Sequence, residues 1–267
     1  MHIKILFVAL IVVFNTGYAS GTSTPNPFHD DLVPILQSLI TDCELPCFLG
    51  IRPGATTGDE LIALLAERLD VDDGSSVVNF RGVINYPLTL SFQQGALFVN
   101  FRGYNNTLSR MNVVLIGNEN WLEAYNPFEL SAVVNTLGTP SKIYVAINGG
   151  NPLISLLTLV YESQEVMVQY TIELPDITSS TPISICPSPD NITRIEAWLD
   201  SSLSRRSVLD YLEPSPDDYD GFGANWTLER MTGVDTDTFV SRFTSEFNAC
   251  LEAPSYTELY ELGYHGS

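Results

Sequence analysis

A short hairpin-like pattern occurs twice in this chain. Residues 88–101 read LTLSFQQGALFVNF, and residues 157–170 read LTLVYESQEVMVQY. Both begin with Leu, Thr and Leu, and in both the apolar residues alternate on each side of a polar turn. This is typical of two antiparallel strands that bury one face. The repeat therefore predicts that related elements form twice, and we call the separation from Leu88 to Leu157 the repeat offset.

The repeat offset also aligns a helix upstream of each hairpin. Thr57 and Glu60 in TTGDELIALL have the spacing of a capping box, in which each side chain accepts a hydrogen bond from the backbone N–H of the other residue. Asn126 and Glu129 are their counterparts at the repeat offset, and Pro127 fits the first position of the second helix. Each helix then has one apolar stripe, formed by Leu61, Leu64 and Leu65 in the first and by Leu130, Val133 and Val134 in the second.

Further strands are predicted at residues 79–86, 110–116 and 142–147, and Gly138 with Pro140 ends the second helix. A helix and a small sheet with a single apolar face bury that face poorly alone, whereas two such units side by side form two packed layers. The predicted fold class is therefore α+β, with two tandem helix-plus-antiparallel-meander units and a mainly helical C-terminal segment.

Five segments follow from these patterns. We interpret them as a signal peptide (1–19), an N-terminal lead-in and helix (20–46), a first α+β unit (47–117), a second α+β unit (118–175), and a Pro-rich linker with a helical C-terminal segment (176–267).

Three helices outside the two units are predicted from helical spacing of apolar residues. One covers Leu32 to Ile40 in the lead-in, and a second covers Ile192 to Leu199. The third follows the acidic cap at 235–237, and its stripe consists of Val240, Phe243, Phe247, Cys250 and Leu251.

The first nineteen residues favour export. Lys4 precedes a run of ten apolar residues at 5–14, and Gly17-Tyr18-Ala19 has the small-x-small pattern of a cleavage site. A membrane anchor is the alternative, but the run is shorter than the roughly 20 residues that cross a bilayer. No Cys at the cleavage site could accept a lipid, so we expect a secreted or extracytoplasmic protein without a transmembrane span.

Four cysteines, an even number, favour disulfides in an exported chain. Three pairings are possible. We predict Cys43–Cys47 and Cys186–Cys250, because the first two are too close together for both to reach distant partners, and because Cys250 lies on an apolar stripe. Redox or metal use of CELPC is the alternative, although redox motifs hold two residues between the sulfurs and this one holds three.

The net charge of the chain is −20, and removal of Lys4 with the signal peptide makes it about −21. Lys and Arg supply most of the affinity for phosphate backbones, and this chain has few of them. Nucleic acid is therefore not an expected partner, and anionic lipid is disfavoured for the same reason.

Catalytic residues and cofactors are not predicted. Only His29 and His265 remain after signal removal, and most nucleophilic and metal-dependent sites need an imidazole. An enzyme would have to be a carboxylate-based hydrolase, which is one alternative function. A calcium-stabilised module is another, although the acidic clusters at 70–73 and 217–220 depart from calcium-loop spacing. Asn105, Asn191 and Asn225 lie in N-x-Thr sequons.

Two short motifs carry a family resemblance. Gly50 to Thr56 reads GIRPGAT, and Leu137 to Pro140 reads LGTP before the second hairpin. Over residues 47–175 the chain resembles the small outer-membrane-assembly lipoproteins and the tandem β-lactamase-inhibitor-like fold, and CELPCFLGIRPGATT is similar to uncharacterised exported bacterial proteins. The resemblance implies a non-catalytic scaffold for protein contact, although the lipidated Cys of the lipoproteins is absent. Our hypothesis is an exported protein-interaction or envelope-associated module whose partner is a protein or an envelope component.

Overall fold

The computed structural model describes residues 43–69, 84–91, 95–117, 128–148, 152–175, 181–201, 226–245 and 249–262. Five α-helices lie in these residues: α1 (Gly58–Leu69), α2 (Leu130–Leu137), α3 (Leu228–Thr232), α4 (Thr236–Ser245) and α5 (Tyr256–Glu261). The strands are β1 (Ile84–Ser91), β2 (Gly95–Tyr104), β3 (Thr107–Gly117), β4 (Lys142–Asn148), β5 (Ile154–Tyr161), β6 (Val166–Glu173), β7 (Ile183–Ile185), β8 (Ile192–Asp200), β9 (Trp226–Thr227) and β10 (Leu251–Ala253).

Among the described residues, eight strands form one antiparallel sheet in the order β1-β2-β3-β8-β6-β5-β4-β9. Strands β7 and β10 form a separate antiparallel pair. The α+β class is confirmed, and strands make up most of the regular structure. Within the part of the chain that the structure describes, no helix is both long and apolar enough to cross a membrane.

One face of the large sheet forms a single apolar core with the helices. Leu97, Val99 and Phe101 of β2 are buried in it, as are Val168 and Tyr170 of β6. The helix stripes join the same core, and their buried members are Leu61 and Leu65 of α1 and Leu130, Val133 and Val134 of α2. The alternation predicted for β2 and for both strands of the second hairpin is therefore the pattern of one buried sheet face.

Two buried tyrosines in this core differ in their hydrogen bonding. The Tyr170 hydroxyl donates to the carbonyl oxygen of Phe128 at 3.0 Å. The Tyr161 hydroxyl, on a residue only 1% exposed, has no hydrogen-bond partner among the described residues. Burial raises the pKa of both phenols, because the charged phenolate is poorly solvated in the core.

The predicted capping box of α1 is confirmed. The Thr57 backbone N–H donates to Glu60 Oε2 at 2.8 Å, and the Glu60 N–H donates to Thr57 Oγ1 at 3.3 Å. These bonds from Thr57 lower the pKa of the Glu60 carboxyl, because they favour its charged form.

The predicted start of the second helix is wrong. The helix begins at Leu130, so Glu129 is the residue before it and accepts from Ser131 Oγ at 2.9 Å instead of completing a capping box. The Phe128 carbonyl, two residues before the helix, accepts a hydrogen bond from the Tyr170 hydroxyl. The expected cap residues Asn126 and Pro127 lie outside the described residues, whereas the predicted end at Gly138 is confirmed by its N–H bond to the Val134 carbonyl.

The two strand pairs β2–β3 and β6–β8 have a bulge at equivalent positions. The register shifts after Arg102 of β2, where Ser109 is the extra residue in β3, and after Thr171 of β6, the counterpart of Arg102 at the repeat offset, where Thr193 is the extra residue in β8. Val99 pairs with Val113, and Val168, the counterpart of Val99, pairs with Ala197. Val113 and Ala197 are in turn directly paired with each other at the centre of the sheet.

The hairpins themselves differ in register. Leu88 pairs with Val99, whereas Leu157, its counterpart in the second hairpin, pairs with Tyr170. The shift is an even number of positions, which is compatible with equivalent residues of β2 and β6 lying on the same face of the sheet. The gapless repeat offset therefore does not describe all of the strand pairing.

The prediction of a helix over Ile192 to Leu199 is wrong, because these residues form β8 between β3 and β6. Ile195, Ala197 and Leu199 alternate towards the core, as in a strand. The bulge inserts one extra residue, Thr193, so Ile192 also faces the core although it lies three positions before Ile195. That spacing of three resembles a helical period.

The remaining strand and helix predictions have mixed outcomes. The strands predicted at 110–116 and 142–147 are confirmed as β3 and β4. The separate strand predicted at 79–86 is not: residues 84–86 belong to β1, which is also the first strand of the hairpin, and residues 79–83 lie outside the described residues. Helix α4 follows Asp235, whose carboxylate accepts from the Thr238 N–H at 2.7 Å. Its predicted stripe extends too far, because Cys250 and Leu251 lie beyond the helix and Leu251 begins β10. The signal peptide and the helix predicted at 32–40 lie outside the described residues.

Both predicted cysteine pairs lie at disulfide distance. The Cα atoms of Cys43 and Cys47 are 5.6 Å apart, and those of Cys186 and Cys250 are 4.2 Å apart. The second bridge joins the chain just after β7 to the residue before β10. Disulfides are typical of proteins in oxidising compartments outside the cytosol.

Candidate interaction surface

The second face of the sheet carries the side chains that point away from the helices. On β2 and β3, its exposed members Phe98, Arg102 and Ile116 and its half-buried members Asn100, Arg110 and Asn112 form a set that we name the open face. On the neighbouring strand β8, the same side of the sheet carries Arg194, Glu196, Trp198 and Asp200. The open face therefore continues directly into a row of charged residues.

The outer side of the sheet differs in exposure between its two halves. Tyr144, Val160 and Met167 on β4, β5 and β6 are only 4–6% exposed and form a second apolar cluster. Phe98 and Ile116 on the open face are 38% and 40% exposed. Phe98 and Met167 are related by the repeat offset, so the same place in the two halves is open in one and buried in the other.

An apolar pair occupies one end of the open face. Phe98 lies opposite Val114, and Ile116 is two positions further along the same strand. Diagonal neighbours of this kind are about 7–8 Å apart, within reach of an aromatic side chain. Their register therefore places the two exposed apolar side chains side by side on the open face.

An arginine pair occupies the other end. Arg102 of β2 lies directly opposite Arg110 of β3. Arg110 is neutralised from its other side by Asp200 of β8, with Nε 2.7 Å from Oδ2. Among the described residues, Arg102 is exposed and forms no ion pair with an acid.

The two amide side chains between these ends, Asn100 and Asn112, differ in their hydrogen bonding. Asn112 Nδ2 donates to Glu196 Oε1 at 3.1 Å, and Glu196 also accepts from the guanidinium of Arg194. Asn100 lies opposite Asn112, and its buried Oδ1 has no hydrogen-bond partner among the described residues. Glu196 is thus fully engaged within the sheet.

The turn between β2 and β3 is tied to the N-terminus of α1. Asn105 and Asn106 both have positive φ, which is typical of a two-residue hairpin turn. The Gly58 N–H donates to the Asn106 carbonyl at 3.1 Å, and the Leu108 N–H donates to the Thr56 carbonyl at 2.9 Å. These bonds hold the open face in a fixed position relative to the helix layer.

The GIRPGAT motif explains how that connection is built. Gly54 has φ +82°, and a Cβ placed on it would lie 2.8 Å from the Cβ of Ser201. Its N–H donates to the Leu108 carbonyl at 2.6 Å, and Thr56 Oγ1 accepts from the Arg52 N–H at 2.9 Å. The motif therefore serves close backbone packing against the ends of β3 and β8.

Most of the residues considered for chemistry lie outside the described residues. The acidic clusters at 70–73 and 217–220 lie outside the described residues. Within the described ranges, no three His, Cys, Asp or Glu residues are placed to hold a metal. Carboxyls with a shifted pKa belong to Glu60, Asp235 and Glu258 at helix starts, and hydrogen bonds from Thr57, Thr238 and Ser255, respectively, lower each of them.

The sequons lie in different environments. Asn105 is exposed in the β2–β3 turn, whereas Asn191 is half-buried and donates from Nδ2 to the Cys186 carbonyl at 3.1 Å. Asn225 lies outside the described residues.

No protein-family model, no curated protein and no solved structure matches this chain. The open face was not predicted from the sequence. A signal for it exists, because Phe98 and Ile116 interrupt the alternation of apolar and polar residues in their strands.

Proposed function

We propose that this protein is an exported, non-catalytic interaction module, built from two tandem α+β units, whose open face contacts a partner protein or envelope component. The exposed Phe98–Ile116 pair carries the proposal. Exposed apolar groups rimmed by polar residues mark protein contact sites, and aromatic and arginine side chains dominate the binding energy of such sites.

The two-unit architecture is supported by the shared bulge. Its equivalent position in β2 and β6, the repeat offset that relates these two strands, and the direct pairing of Val113 with Ala197 all fit two meanders joined edge to edge by β3 and β8. This arrangement fits the implied likeness to the β-lactamase-inhibitor-like fold, and fold alone does not assign a function.

Export is supported by the signal-like N-terminal sequence together with the two disulfides. A scaffold with a rigid sheet needs no catalytic group in order to bind, which agrees with the scarcity of histidine.

The test is quantitative capture from the secreted fraction of the source cells, with the mature protein immobilised. Wild type is compared with a double variant in which Phe98 and Ile116 are both changed to Ser. A matched control changes Tyr260 and Leu262, which are 60% and 58% exposed on α5 and after it, to Ser. Circular dichroism verifies that all three proteins are folded.

We expect a partner that is retained by wild type and by the Tyr260/Leu262 control and is lost from the Phe98/Ile116 variant. Equal retention by all three proteins would remove the open face as the contact site. Turnover of a polysaccharide or peptide library, abolished by substitution of a carboxylate, would contradict the non-catalytic part of the proposal.

A further inference from the structure

We infer that the open face recognises an acidic segment of its partner protein, with a carboxylate bound by Arg102 beside Arg110 and an apolar side chain packed on Phe98 and Ile116. This inference rests on the proposed function, because it assigns the chemistry of the partner to the same surface.

Charge is distributed unusually on this part of the protein. The whole chain has a net charge of −20, yet the outer side of β2, β3 and β8 carries three arginines and two acids. Both acids are engaged, Asp200 by Arg110 and Glu196 by Arg194. The charge left over at this surface is the positive charge of Arg102, which favours an anionic partner.

The placement of Arg102 is unfavourable in the isolated chain. Side chains directly opposite each other on antiparallel strands have Cβ atoms about 4.5–5.5 Å apart, and like charges there are destabilising. Arg102 and Arg110 occupy such a pair, and Asp200 approaches Arg110 from the far side. A carboxylate bound at Arg102 would offset this repulsion, and a guanidinium binds a carboxylate through two parallel hydrogen bonds.

The two ends of the open face set a spacing for the partner. Arg102 and Phe98 lie four positions apart on the same side of β2, which is about 13 Å at roughly 3.3 Å per residue. An extended partner segment lying along β2 would match this distance with an acidic and an apolar side chain at the same spacing. Between them, Asn100 and Asn112 provide a polar strip.

Other occupants fit less well. A nucleic acid needs several free cations to bind its phosphates, whereas the outer side of β2, β3 and β8 leaves only the charge of Arg102 over once Arg110 and Arg194 are paired with acids. A second copy of this acidic chain could supply carboxylates, and the experiment below treats it as a separate outcome.

The probe is a synthetic peptide of Ser and Thr that contains one Glu and, four positions later, one Phe. A matched peptide replaces the Glu with Gln. Binding to the full mature protein is followed at low salt through backbone amide NMR shifts, for wild type, Arg102→Ser and Arg230→Ser. Arg230 is the charge-matched control, because it is exposed on α3 beside β9 at the opposite edge of the sheet from β2.

We expect the Glu peptide to shift amides of β2 and β3, with affinity reduced at least about tenfold by the Gln replacement and by Arg102→Ser, and unchanged by Arg230→Ser. Equal binding of both peptides, equal binding to Arg102→Ser, or no binding of either peptide would overturn the inference. A concentration-dependent dimer in sedimentation, dissociated by Arg102→Ser, would replace the foreign partner with a second copy and also overturn it.

Failure of the inferred carboxylate recognition and failure of the proposed function would give different results. If the captured partner is lost from the Phe98/Ile116 variant but retained by Arg102→Ser, the open face is the contact site and the recognition of a carboxylate is wrong. If the Phe98/Ile116 variant retains the partner as well, the proposed function itself fails.

Discussion

The clearest quantitative prediction concerns the two buried tyrosines, which should respond in opposite directions to the same chemical change. Tyr170→Phe removes a 3.0 Å hydrogen bond and leaves the buried Phe128 carbonyl without that donor. We expect the free energy of unfolding to fall by about 1–2 kcal/mol. Tyr161→Phe removes a buried hydroxyl that has no partner among the described residues, so the free energy of unfolding should rise by about 1 kcal/mol.

The first hairpin already has phenylalanine at the two corresponding positions, because Phe92 and Phe101 are the counterparts of Tyr161 and Tyr170 at the repeat offset. The assay is urea unfolding with both disulfides intact, followed by far-UV circular dichroism and tryptophan fluorescence. The two variants should differ by about 2–3 kcal/mol, which corresponds to roughly 5–10 °C in Tm for a chain of this size.

A loss of stability in both variants would refute the assignment of an unpaired hydroxyl to Tyr161. Unequal m-values between the variants would show that the unfolded state had changed, and the comparison would then be repeated by calorimetry.

Three further predictions follow from titration and backbone geometry. Burial raises the pKa of Tyr161 and Tyr170 above the ordinary value near 10. The stability that comes from keeping each phenol neutral is therefore full below pH 10 and is lost as the pH rises above it. In a plot of the free energy of unfolding against pH, Tyr161→Phe should make the fall above pH 10 shallower by about 1.4 kcal/mol per pH unit. The lowered pKa of Glu60 gives stability that is present above about pH 4.5 and is lost as the pH falls through the pKa of the folded state. In urea titrations at a series of pH values, Glu60→Gln should make the acid-side fall in the free energy of unfolding shallower. An unchanged fall would contradict the capping role of Glu60. Gly54→Ala should lower Tm more than Gly138→Ala, because both have positive φ but only the first meets another residue within 4 Å; equal losses would mean that the close approach relaxes.

The sequence predicts the local elements well where caps and periodicity act within a few residues. Thr57 and Glu60 form their capping box because both partners lie in the same helical turn. The start of α2 was predicted wrongly, and it lies beside a contact that is distant in sequence, since the Phe128 carbonyl accepts a hydrogen bond from Tyr170. Tertiary hydrogen bonds of this kind leave no local pattern.

The largest error is the helix predicted over Ile192 to Leu199, which forms the central strand β8, and the cause of this error is also physical. A bulge at Thr193 brings two apolar residues with helical spacing onto one face of a strand. Only the neighbours β3 and β6, which pair with it on both sides, distinguish this strand from a helix. The open face could not be predicted either, because exposure depends on which parts of the outer side other residues cover.

The inner and outer sides of the sheet differ in which residue types they require at positions related by the repeat offset. At positions related by the repeat offset, the inner side keeps apolar residues, as in Val99 and Val168. The outer side changes character, since Phe98 corresponds to Met167 and Arg102 to Thr171. Burial of the inner side supplies the stability, at about 25 cal/mol per Å² of apolar surface, so substitutions there are constrained by packing. Exposed outer positions have no such packing constraint, so Phe98 and Arg102 are free to differ from their counterparts, and it is at these positions that we propose contact with another molecule.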